Sequence, residues 1–346
     1  MQNIKKDEPE PSGGLNKTIL VVNTGSRKKE FIFKKYKQLG LKIAVINKEK
    51  NWAQPYVNYW ILTDDINHDQ SLIDLENFLR VHTDVKIDGV ITFWDDVEND
   101  VMLTAKIRDK YKLKGMSVDI ISRLKDKYEL RKFCKENHIA AIKYKNILSV
   151  EDLEEVKEQF HFPAVLKPTL GSSSAFVVKI ENKGELLDTF LYIRDRLSKT
   201  DEYVAEGSHI LIEEYINGSE VDIDILMQDG EILFCSISDN HETCEPYFVE
   251  TGQNIPSNLP ENKQLELYEM AKSTLLKAGV RDGCIHFEAK SNDNGAYPIE
   301  VNLRMGGDEV RSFVLGSWGV DLAENAVKIA LGEKVVINKP ATPIQY

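Results

Sequence analysis

The sequence predicts an α/β protein in which an open parallel sheet is followed by α+β subdomains. In the first third of the chain, short apolar runs alternate with helical patterns, which is typical of parallel strands with helical crossovers. Further along, apolar runs are joined by tight polar turns, which indicates antiparallel hairpins. At 346 residues the chain is long enough for two or three packed subdomains.

The first predicted domain covers residues 17–115. Its strands are the apolar runs at residues 18–24, 42–47 and 89–94, and Gly40 ends the helix after the first of them. Such sheets bind ligands at the carboxyl ends of their strands. No GxGxxG motif follows the first strand, so a dinucleotide site is not predicted there.

Two further subdomains are predicted, at residues 116–216 and 217–346. Ser117 and Asp126 are suitable caps for two helices at the start of the second. In the third, residues 221–226 and 231–236 alternate in polarity around an Asp-Gly turn, which predicts a hairpin.

Composition excludes several classes of protein. Residues 1–16 are polar and contain Pro and Gly, so we expect a disordered tail without a secretory signal. No apolar run is long enough to span a membrane, and the net charge of −12 disfavours nucleic acid as a partner. The four cysteines form no CxxC pair, so reduced, buried thiols in a cytoplasmic protein are expected.

A Gly/Ser loop at residues 171–175 lies between two predicted strands. Its backbone N–H groups and its hydroxyls, from Ser172, Ser173 and Ser174, are suited to a flap over polyphosphate. Lys167, at the end of the preceding strand, would add a cation for the phosphates. A flexible polar hairpin is the alternative interpretation.

A second candidate segment runs from residue 212 to residue 220. A strand ends at Glu213 and Glu214, and Asn217-Gly218 then turns the chain. Backbone groups at such a turn can meet the edge of an adenine, and Glu220 can accept hydrogen bonds from a ribose. Solvated acidic residues before a turn are the alternative.

The third segment is the most specific, and consists of two strands joined by residues 292–295. A period of two places His286 and Glu288 on one face of the first strand, and Glu300, Asn302 and Arg304 on one face of the second. The apolar residues between them would face the core: Ile285, Phe287, Ile299, Val301 and Leu303.

The polar face of these two strands predicts a site for Mg²⁺ and phosphate. Glu288, Glu300 and Asn302 offer the hard oxygen ligands that Mg²⁺ prefers. Arg304 would reach a transferring phosphoryl group, and Gly306-Gly307 would let the backbone approach the same anion. An ordinary amphipathic hairpin would explain the alternation but not this set of residues.

In this order, the segments resemble the ATP-grasp superfamily, and within it the carboxylate–amine ligases of the L-amino-acid (dipeptide) ligase and carnosine-synthase type. The resemblance covers residues 17–335. It implies an ATP-grasp fold, with an N-terminal Rossmann-like sheet and an ATP cleft between two α+β subdomains. It further implies ATP-binding residues (Lys127, Lys167, Ser172, Ser173, Ser174, Glu213, Glu214, Ile216, Glu220), metal ligands (Glu288, Glu300, Asn302) and a catalytic Arg304.

The resemblance also implies a substrate loop at residues 246–257, with Glu250, Gln253, Gly306, Gly307 and His241 near the substrate. Gln253 stands where many relatives carry histidine. Between the two candidate histidines, His286 is expected to support the site structurally, and His241 is the better candidate for a substrate contact. Relatives usually continue into a further C-terminal lobe, so a short member or part of a longer protein is expected.

The activity implied by the resemblance is amide formation through an acyl-phosphate, using ATP and Mg²⁺, with Mn²⁺ as a substitute. The substrates would be amino acids or small carboxylic acids, and a homodimer is common in relatives. Two alternatives stay open. One is a carboxylase or another ATP-grasp ligase with a different nucleophile, and the other is a nucleotide-binding module without turnover.

Overall fold

The computed structural model describes residues 14–64, 66–95, 99–140, 142–199, 207–340 and 342–344. Most of the expected N-terminal tail, residues 1–13, lies outside the described residues. Leu15, which was included in that tail, donates its backbone N–H to the carbonyl of Leu39 at 3.0 Å. The described chain forms three sheets, and each lies within one of the three predicted domains.

The N-terminal sheet is parallel throughout, with the strand order β3-β2-β1-β4. The strands β1, β2 and β4 are rich in Val and Ile and are almost wholly buried, as expected for strands covered on both faces, whereas the edge strand β3 is partly exposed. A 3-10 helix, Arg27–Lys29, lies after β1 and leads directly into α1. The elements are β1 (Thr18–Val22), α1 (Glu30–Gln38), β2 (Lys42–Asn47), β3 (Tyr59–Leu62), α2 (His68–Val81), β4 (Gly89–Ile91) and α3 (Asp100–Tyr111).

The second sheet is antiparallel, in the order β5-β8-β6-β7. Both predicted helix caps are confirmed: Ser117 accepts from the N–H of Ile120 at 3.4 Å, and Asp126 accepts from that of Tyr128 at 2.8 Å. The elements are α4 (Val118–Leu124), α5 (Lys127–Glu136), β5 (Tyr144–Ile147), α6 (Asp152–Gln159), β6 (Ala164–Pro168), β7 (Val178–Ile180), α7 (Leu186–Leu197) and β8 (Ile210–Glu214).

The third sheet is also antiparallel, in the order β11-β10-β9-β12-β13. The predicted hairpin around Asp229-Gly230 is present as β9 and β10. The elements are β9 (Ser219–Gln228), β10 (Glu231–Asn240), β11 (Gln253–Asn254), α8 (Glu261–Ala278), β12 (Gly283–Asn292), β13 (Gly295–Asn302), α9 (Val310–Trp318) and α10 (Leu322–Ala330).

One hydrophobic core joins the N-terminal domain to the third subdomain. Ile19, Val21 and Phe33 share this core with Val314 of α9 and Val327 of α10, and all five side chains are fully buried. Because these apolar side chains are removed from water together, the shared core holds the N-terminal domain and the third subdomain together. The segment after β1 is therefore fixed against the segment after β13, where Arg304 lies.

The cysteines and the helices bear on two expectations from composition, buried thiols and the lack of a membrane span. The four cysteines are free, but only Cys134 and Cys284 are buried, and Cys244 is exposed, so the expectation of burial is wrong for Cys244. Within the described ranges, no helix combines the length and the apolar character that crossing a bilayer needs.

Candidate active site

The carboxylates predicted to bind metal face each other across two paired strands. Glu288 of β12 lies opposite Glu300 of β13, and His286 lies opposite Asn302. Directly opposite residues of an antiparallel pair project from the same face of the sheet. The Asn302 side-chain amide donates to Oε1 of Glu288 at 2.9 Å. The period of two therefore brings these four side chains together.

The opposite face of the pair is apolar, with one exception. Ile285, Phe287, Val301 and Leu303 are at most 4% exposed and belong to one core. The register shifts after Glu288 and leaves Ile299 without an opposite residue. Ile299 is consequently only half-buried, so its assignment to the core face is wrong, because a β-bulge interrupts the alternation.

The electrostatics of the pair favour a bound cation. Burial and the charge of Glu300 raise the pKa of Glu288 well above its usual value, because two like charges share one site. Lys127 compensates part of this charge, with its Nζ 2.8 Å from Oε2 of Glu300. A divalent cation would relieve the remaining repulsion.

The donor set of the site fits Mg²⁺ better than a softer metal. Glu288, Glu300 and Asn302 supply oxygen ligands from adjacent rigid strands, and Mg²⁺ commonly completes its shell with water and phosphate. No group of three His, Cys, Asp or Glu side chains in the described part of the chain forms a metal cage. A site of two carboxylates and an amide is therefore suited to a metal that arrives with a phosphate ligand.

His286 is held between two buried aspartates. Its Nδ1 lies 2.9 Å from Oδ1 of Asp224, and its Nε2 lies 3.7 Å from Oδ2 of Asp222. Burial acts to lower the pKa of His286, but these two carboxylates raise it to about 10. The imidazolium is therefore an ion-pair partner at neutral pH, which supports the structural role expected for it.

Removal of the metal is expected to make stability depend on pH. Glu288 and His286 have raised pKa values in the folded protein, so the folded state binds more protons than the unfolded chain. Their contribution is full at acidic pH and is lost as the pH rises through the folded-state values. We expect Mg²⁺ to raise the melting temperature by about 2–4 °C more at pH 8 than at pH 5. Calorimetry with Mg²⁺ and with EDTA checks this, and an equal effect at both pH values would contradict it.

A second ionic network lies beside the metal ligands and is almost wholly buried. The Glu213 carboxylate lies 2.7 Å from Nζ of Lys167 and 2.7 Å from Nε of Arg131. All three side chains are at most 5% exposed. Arg131 also donates to the carbonyl of Ile299 at 2.9 Å. Because its carboxylate is occupied, we expect Glu213 to meet a nucleotide only through its backbone.

The Gly/Ser loop connects β6 and β7, which are antiparallel neighbours as predicted. Ser173 and Ser174 have φ angles of 54° and 53°, a left-handed conformation that aims successive N–H groups toward one side. Lys127 binds the base of this loop, because its Nζ donates to the Gly171 carbonyl at 3.4 Å. Lys127 thus bridges the loop and Glu300, and its predicted contact with ATP stays a prediction.

The predicted adenine segment is anchored at both ends. Oε1 of Glu214 accepts from the backbone N–H of Lys143 at 3.1 Å, and Glu220 pairs with Lys290 at 3.4 Å. Ile216 is half-buried between them. Tyr215 lies below Lys179, whose Nζ is 4.2 Å from the ring centroid. If a ribose binds here, its hydroxyl groups would donate to the Glu220 carboxylate, either in place of Lys290 or together with it.

The predicted substrate loop approaches the predicted metal ligands at one end. The Gln253 side-chain amide donates to Asp222, the residue opposite Glu288 on β9. Gly252 packs against His241, since a side chain there would lie 2.8 Å from its Nδ1. Partial burial and the charge of Asp222 raise the pKa of Glu250 to about 7, although the residue as a whole is exposed.

At its other end the same loop contacts the hairpin that carries the Gly/Ser loop. Tyr247 forms a β-bridge with Val178, and the N–H of Lys179 donates to the Pro246 carbonyl at 3.0 Å. Glu245 accepts from the Tyr215 hydroxyl at 2.7 Å and pairs with Lys179 at 2.6 Å. We call this set of contacts the loop clasp.

Arg304 and the two glycines follow β13. Nη1 of Arg304 donates to the Met305 carbonyl at 3.0 Å, and no carboxylate in the described ranges pairs with Arg304. A side chain at Gly306 would lie 2.8 Å from His286 Nδ1, whereas nothing lies within 4 Å of one at Gly307. Gly306 is therefore required by packing against His286, and Gly307 leaves open space beside Arg304.

Several residues of the site were not found from sequence. The buried partners Arg131, Asp222 and Asp224 are polar residues on apolar stripes, which is a detectable signal. Arg131 lies four positions after Lys127 on α5, on the same helix face. Tyr215 and Glu245 carry no comparable signal, because the contacts that matter are made between distant segments.

Comparison with known proteins places these features in a family. Residues 160–312 match the model of the ATP-grasp domain, a range that contains the Gly/Ser loop, β8–β13 and Arg304. The chain therefore contains an ATP-grasp domain, and the predicted α/β class is confirmed as the ATP-grasp fold.

Three similar proteins extend the comparison. Carnosine synthase 1 of Homo sapiens is 27% identical over 332 residues, which cover 91% of this chain and 40% of that protein. Alanine–anticapsin ligase of Bacillus subtilis is 25% identical over 291 residues, covering 79% of this chain and 60% of that protein. The crystal structure of L-amino acid ligase from Bacillus licheniformis aligns with a TM-score of 0.75 at 22% identity, over 91% of this chain and 74% of that chain. This chain thus spans about two fifths of the length of the carnosine synthase that it matches.

Proposed function

We propose, from the premise that this chain contains an ATP-grasp domain, that it is an ATP- and Mg²⁺-dependent carboxylate–amine ligase. The facing pair Glu288 and Glu300 carries the proposal, together with Asn302 on the same face. The similarity to proteins named as a carnosine synthase, an alanine–anticapsin ligase and an L-amino acid ligase supports amide formation. The substrates are then amino acids or small carboxylic acids.

The reaction has two steps. A substrate carboxylate oxygen attacks the γ-phosphorus of ATP, the bond from that phosphorus to the β,γ-bridging oxygen breaks, and ADP leaves. An amine nitrogen then attacks the carbonyl carbon of the acyl-phosphate, the carbon–oxygen bond to phosphate breaks, and the amine loses a proton. Since the substrate supplies its own nucleophile, no covalent enzyme intermediate is needed.

The side chains of this chain would position and stabilise the charged groups. Bound Mg²⁺ would neutralise the charge that develops on the phosphates, held by Glu288, Glu300 and Asn302. Lys127 and Lys167 lie at the base of the Gly/Ser loop and would contact the phosphate oxygens. Arg304, which has no carboxylate partner among the described residues, would bind the transferring phosphoryl group and the oxyanion of the second step.

The nucleotide and the substrates would occupy opposite ends of the cleft. We assign the adenine and ribose to the segment from Glu213 to Glu220, with Glu214 and Ile216 between them, and the phosphates to Ser172, Ser173 and Ser174. The substrate end takes Glu250, Gln253, His241, Gly306 and Gly307. The contact of Gln253 with Asp222 supports this assignment, because it joins the substrate loop to the metal ligands.

A pairwise screen tests the proposal. We expect at least one pair of amino acids to stimulate ATP hydrolysis about tenfold or more over the basal rate, with an amide product visible by mass spectrometry. Bicarbonate serves as the comparison substrate. Stimulation by bicarbonate but by no amino acid would identify a carboxylase instead. Nucleotide binding with no stimulation by any acid would identify a binding module without turnover.

We further propose that the protein works in the cytoplasm as a homodimer. Four free thiols, of which Cys244 is exposed, are typical of a reducing compartment. Sedimentation at several concentrations tests the dimer, and localisation of a tagged chain tests the compartment.

A further inference from the structure

Asp222 is a buried carboxylate that accepts hydrogen bonds from two side-chain amides. It is 0% exposed, and its Oδ1 accepts from Nδ2 of Asn240 at 3.0 Å. Its Oδ2 accepts from Nε2 of Gln253 and lies 3.7 Å from Nε2 of His286. Because an ionised carboxylate offers only acceptors, both amides must turn their nitrogen atoms toward it.

The imidazolium of His286 supports the ionised form of Asp222. Burial raises the pKa of Asp222, and the positive charge of His286 acts against this increase. Nδ1 of His286 also lies 2.9 Å from Oδ1 of Asp224, so one cation is placed between two aspartates. The orientation of the Gln253 amide is therefore fixed by the acceptor that it meets.

Gln253 keeps one hydrogen-bonding atom free, its carbonyl oxygen. Within the described ranges no group donates to Oε1 of Gln253, whose nitrogen is committed to Asp222. Oδ1 of Asn240 also has no partner there, but it is covered by protein atoms. Gln253 is only half-buried, so of the two amides it is the one that presents an acceptor to a ligand.

The free oxygen belongs to the face of the sheet that carries the predicted metal ligands. Asp222 of β9 lies directly opposite Glu288 of β12, so the two side chains project from one face. Since Gln253 contacts Asp222, and neighbouring strands are about 5 Å apart, its amide reaches to within about two strand spacings of Glu288. One substrate of amino-acid size can therefore contact both the Gln253 oxygen and a phosphate at the metal site.

We propose that Gln253 is a specificity-determining residue, whose Oε1 accepts a hydrogen bond from an N–H group of a substrate. This inference rests on the proposed function and adds the polarity of one substrate contact to it. A substrate carboxylate offers only acceptors, so it is not bound by this oxygen. The N–H group belongs either to the amine that attacks or to an amino group carried by the activated acid, and the kinetic test separates these sources.

Two substitutions at Gln253 separate its acceptor from its contact with Asp222. Gln253→Met removes both the acceptor and the contact at similar size. Gln253→Lys removes the acceptor, but its ammonium can pair with Asp222 and so keeps the predicted substrate loop attached. The matched control is Gln70→Met, because Gln70 also donates to a carboxylate, that of Asp74 at 2.9 Å, but is exposed on α2.

A binding measurement makes the test independent of turnover. Protein loaded with Mg²⁺ and ADP is titrated calorimetrically with glycine, L-alanine and L-phenylalanine, and with their N,N,N-trimethyl derivatives, which keep the positive charge and lack N–H groups. The unmodified protein and Gln70→Met should bind at least one amino acid about tenfold more tightly than its derivative. Both Gln253 variants should reduce this ratio about tenfold. Melting temperatures without ligand verify that the variants fold.

Steady-state kinetics identify the substrate that carries the N–H group. We expect its KM to rise about 10- to 100-fold in both Gln253 variants, while the KM for ATP stays within about twofold. Hydroxylamine replaces the amine in a second assay and traps the acyl-phosphate as a hydroxamate. A raised KM for the acid in this assay assigns the N–H group to the acid. An unchanged KM for the acid, with a raised KM for the amine in amide formation, assigns it to the amine.

Three results would overturn the inference. The first is an amino-acid preference in Gln253→Lys equal to that of the unmodified protein, which would show that Gln253 only anchors the loop. The second is tighter binding by Gln253→Lys, which would assign a substrate carboxylate to this position. The third is no preference in the unmodified protein. Amide formation with unchanged KM values in both variants would remove this contact and leave the ligase proposal standing, whereas a lost preference without any amide product would do the reverse.

Discussion

Replacement of Glu300 by alanine is expected to reduce Mg²⁺-dependent turnover about 100- to 1,000-fold. Glu300 lies opposite Glu288 on the paired strands and 2.8 Å from Lys127. Its removal takes away one of the two carboxylates predicted to bind metal and frees Lys127, which also binds the base of the Gly/Ser loop. We therefore expect weaker binding of Mg²⁺ and less accurate positioning of the phosphates.

The comparison for this variant is Glu269→Ala. Glu269 is exposed on α8 and, among the residues that the structure describes, pairs only with Lys272 at 3.7 Å, so its loss should leave turnover unchanged. Steady-state rates are measured over a range of Mg²⁺ concentrations. The Glu300→Ala protein should still unfold in one transition without metal, because the relief of repulsion with Glu288 offsets the loss of the ion pair with the buried Lys127. Turnover within threefold of the unmodified enzyme would show that the metal assignment is wrong.

Glu213→Gln is expected to lower the free energy of unfolding by about 3–5 kcal/mol. The Glu213 carboxylate is the anion of a buried triad with Lys167 and Arg131. Burial acts to raise its pKa, but the two cations together hold it below the usual value. A neutral amide would leave two buried positive charges with no counter-charge, and such a loss is among the most destabilising single changes.

The adjacent Glu214→Gln provides the matched comparison. Glu214 contacts the backbone N–H of Lys143, and a glutamine oxygen can accept the same hydrogen bond. Its effect should stay below about 1 kcal/mol. Urea denaturation followed by circular dichroism measures both variants. An equal loss in the free energy of unfolding for both variants would show that charge pairing in the buried triad does not stabilise the subdomain that contains β6 and β8.

The parts of the site that the sequence predicts correctly are those that depend on local geometry. The alternation along β12 and β13 follows from the pleat, so it brings Glu288 and Glu300 to one face without knowledge of the fold. The caps at Ser117 and Asp126 are equally local. Strand β3 was not predicted, because Tyr59–Leu62 is only four residues long and mostly half-buried, so it shows neither a long apolar run nor a clear alternation.

The remaining features depend on contacts between distant segments. The bulge at Ile299 lies beside Arg131, whose side chain binds its carbonyl from another subdomain. The burial of Lys29 is evident only when its surroundings are known, since a Lys-Lys pair in sequence is typical of a solvated surface. In the sequence, Glu213 stands next to another glutamate shortly before a turn, which is typical of a solvated carboxylate. In the structure, its side chain lies in the buried triad with Lys167 and Arg131. The residue assignments for nucleotide and substrate stay predictions that the experiments above test.

The loop clasp connects the predicted substrate loop to the hairpin that carries the Gly/Ser loop. Because Tyr247 and Val178 form a β-bridge, we expect the Gly/Ser hairpin and the predicted substrate loop to move together. An acyl-phosphate is prone to hydrolysis. If these two segments opened to admit the amine after the first step, they would also expose the proposed intermediate to solvent. For the proposed reaction, coupled closure of both segments would favour binding of both substrates before chemistry starts, and we expect it to limit the hydrolysis of ATP by water.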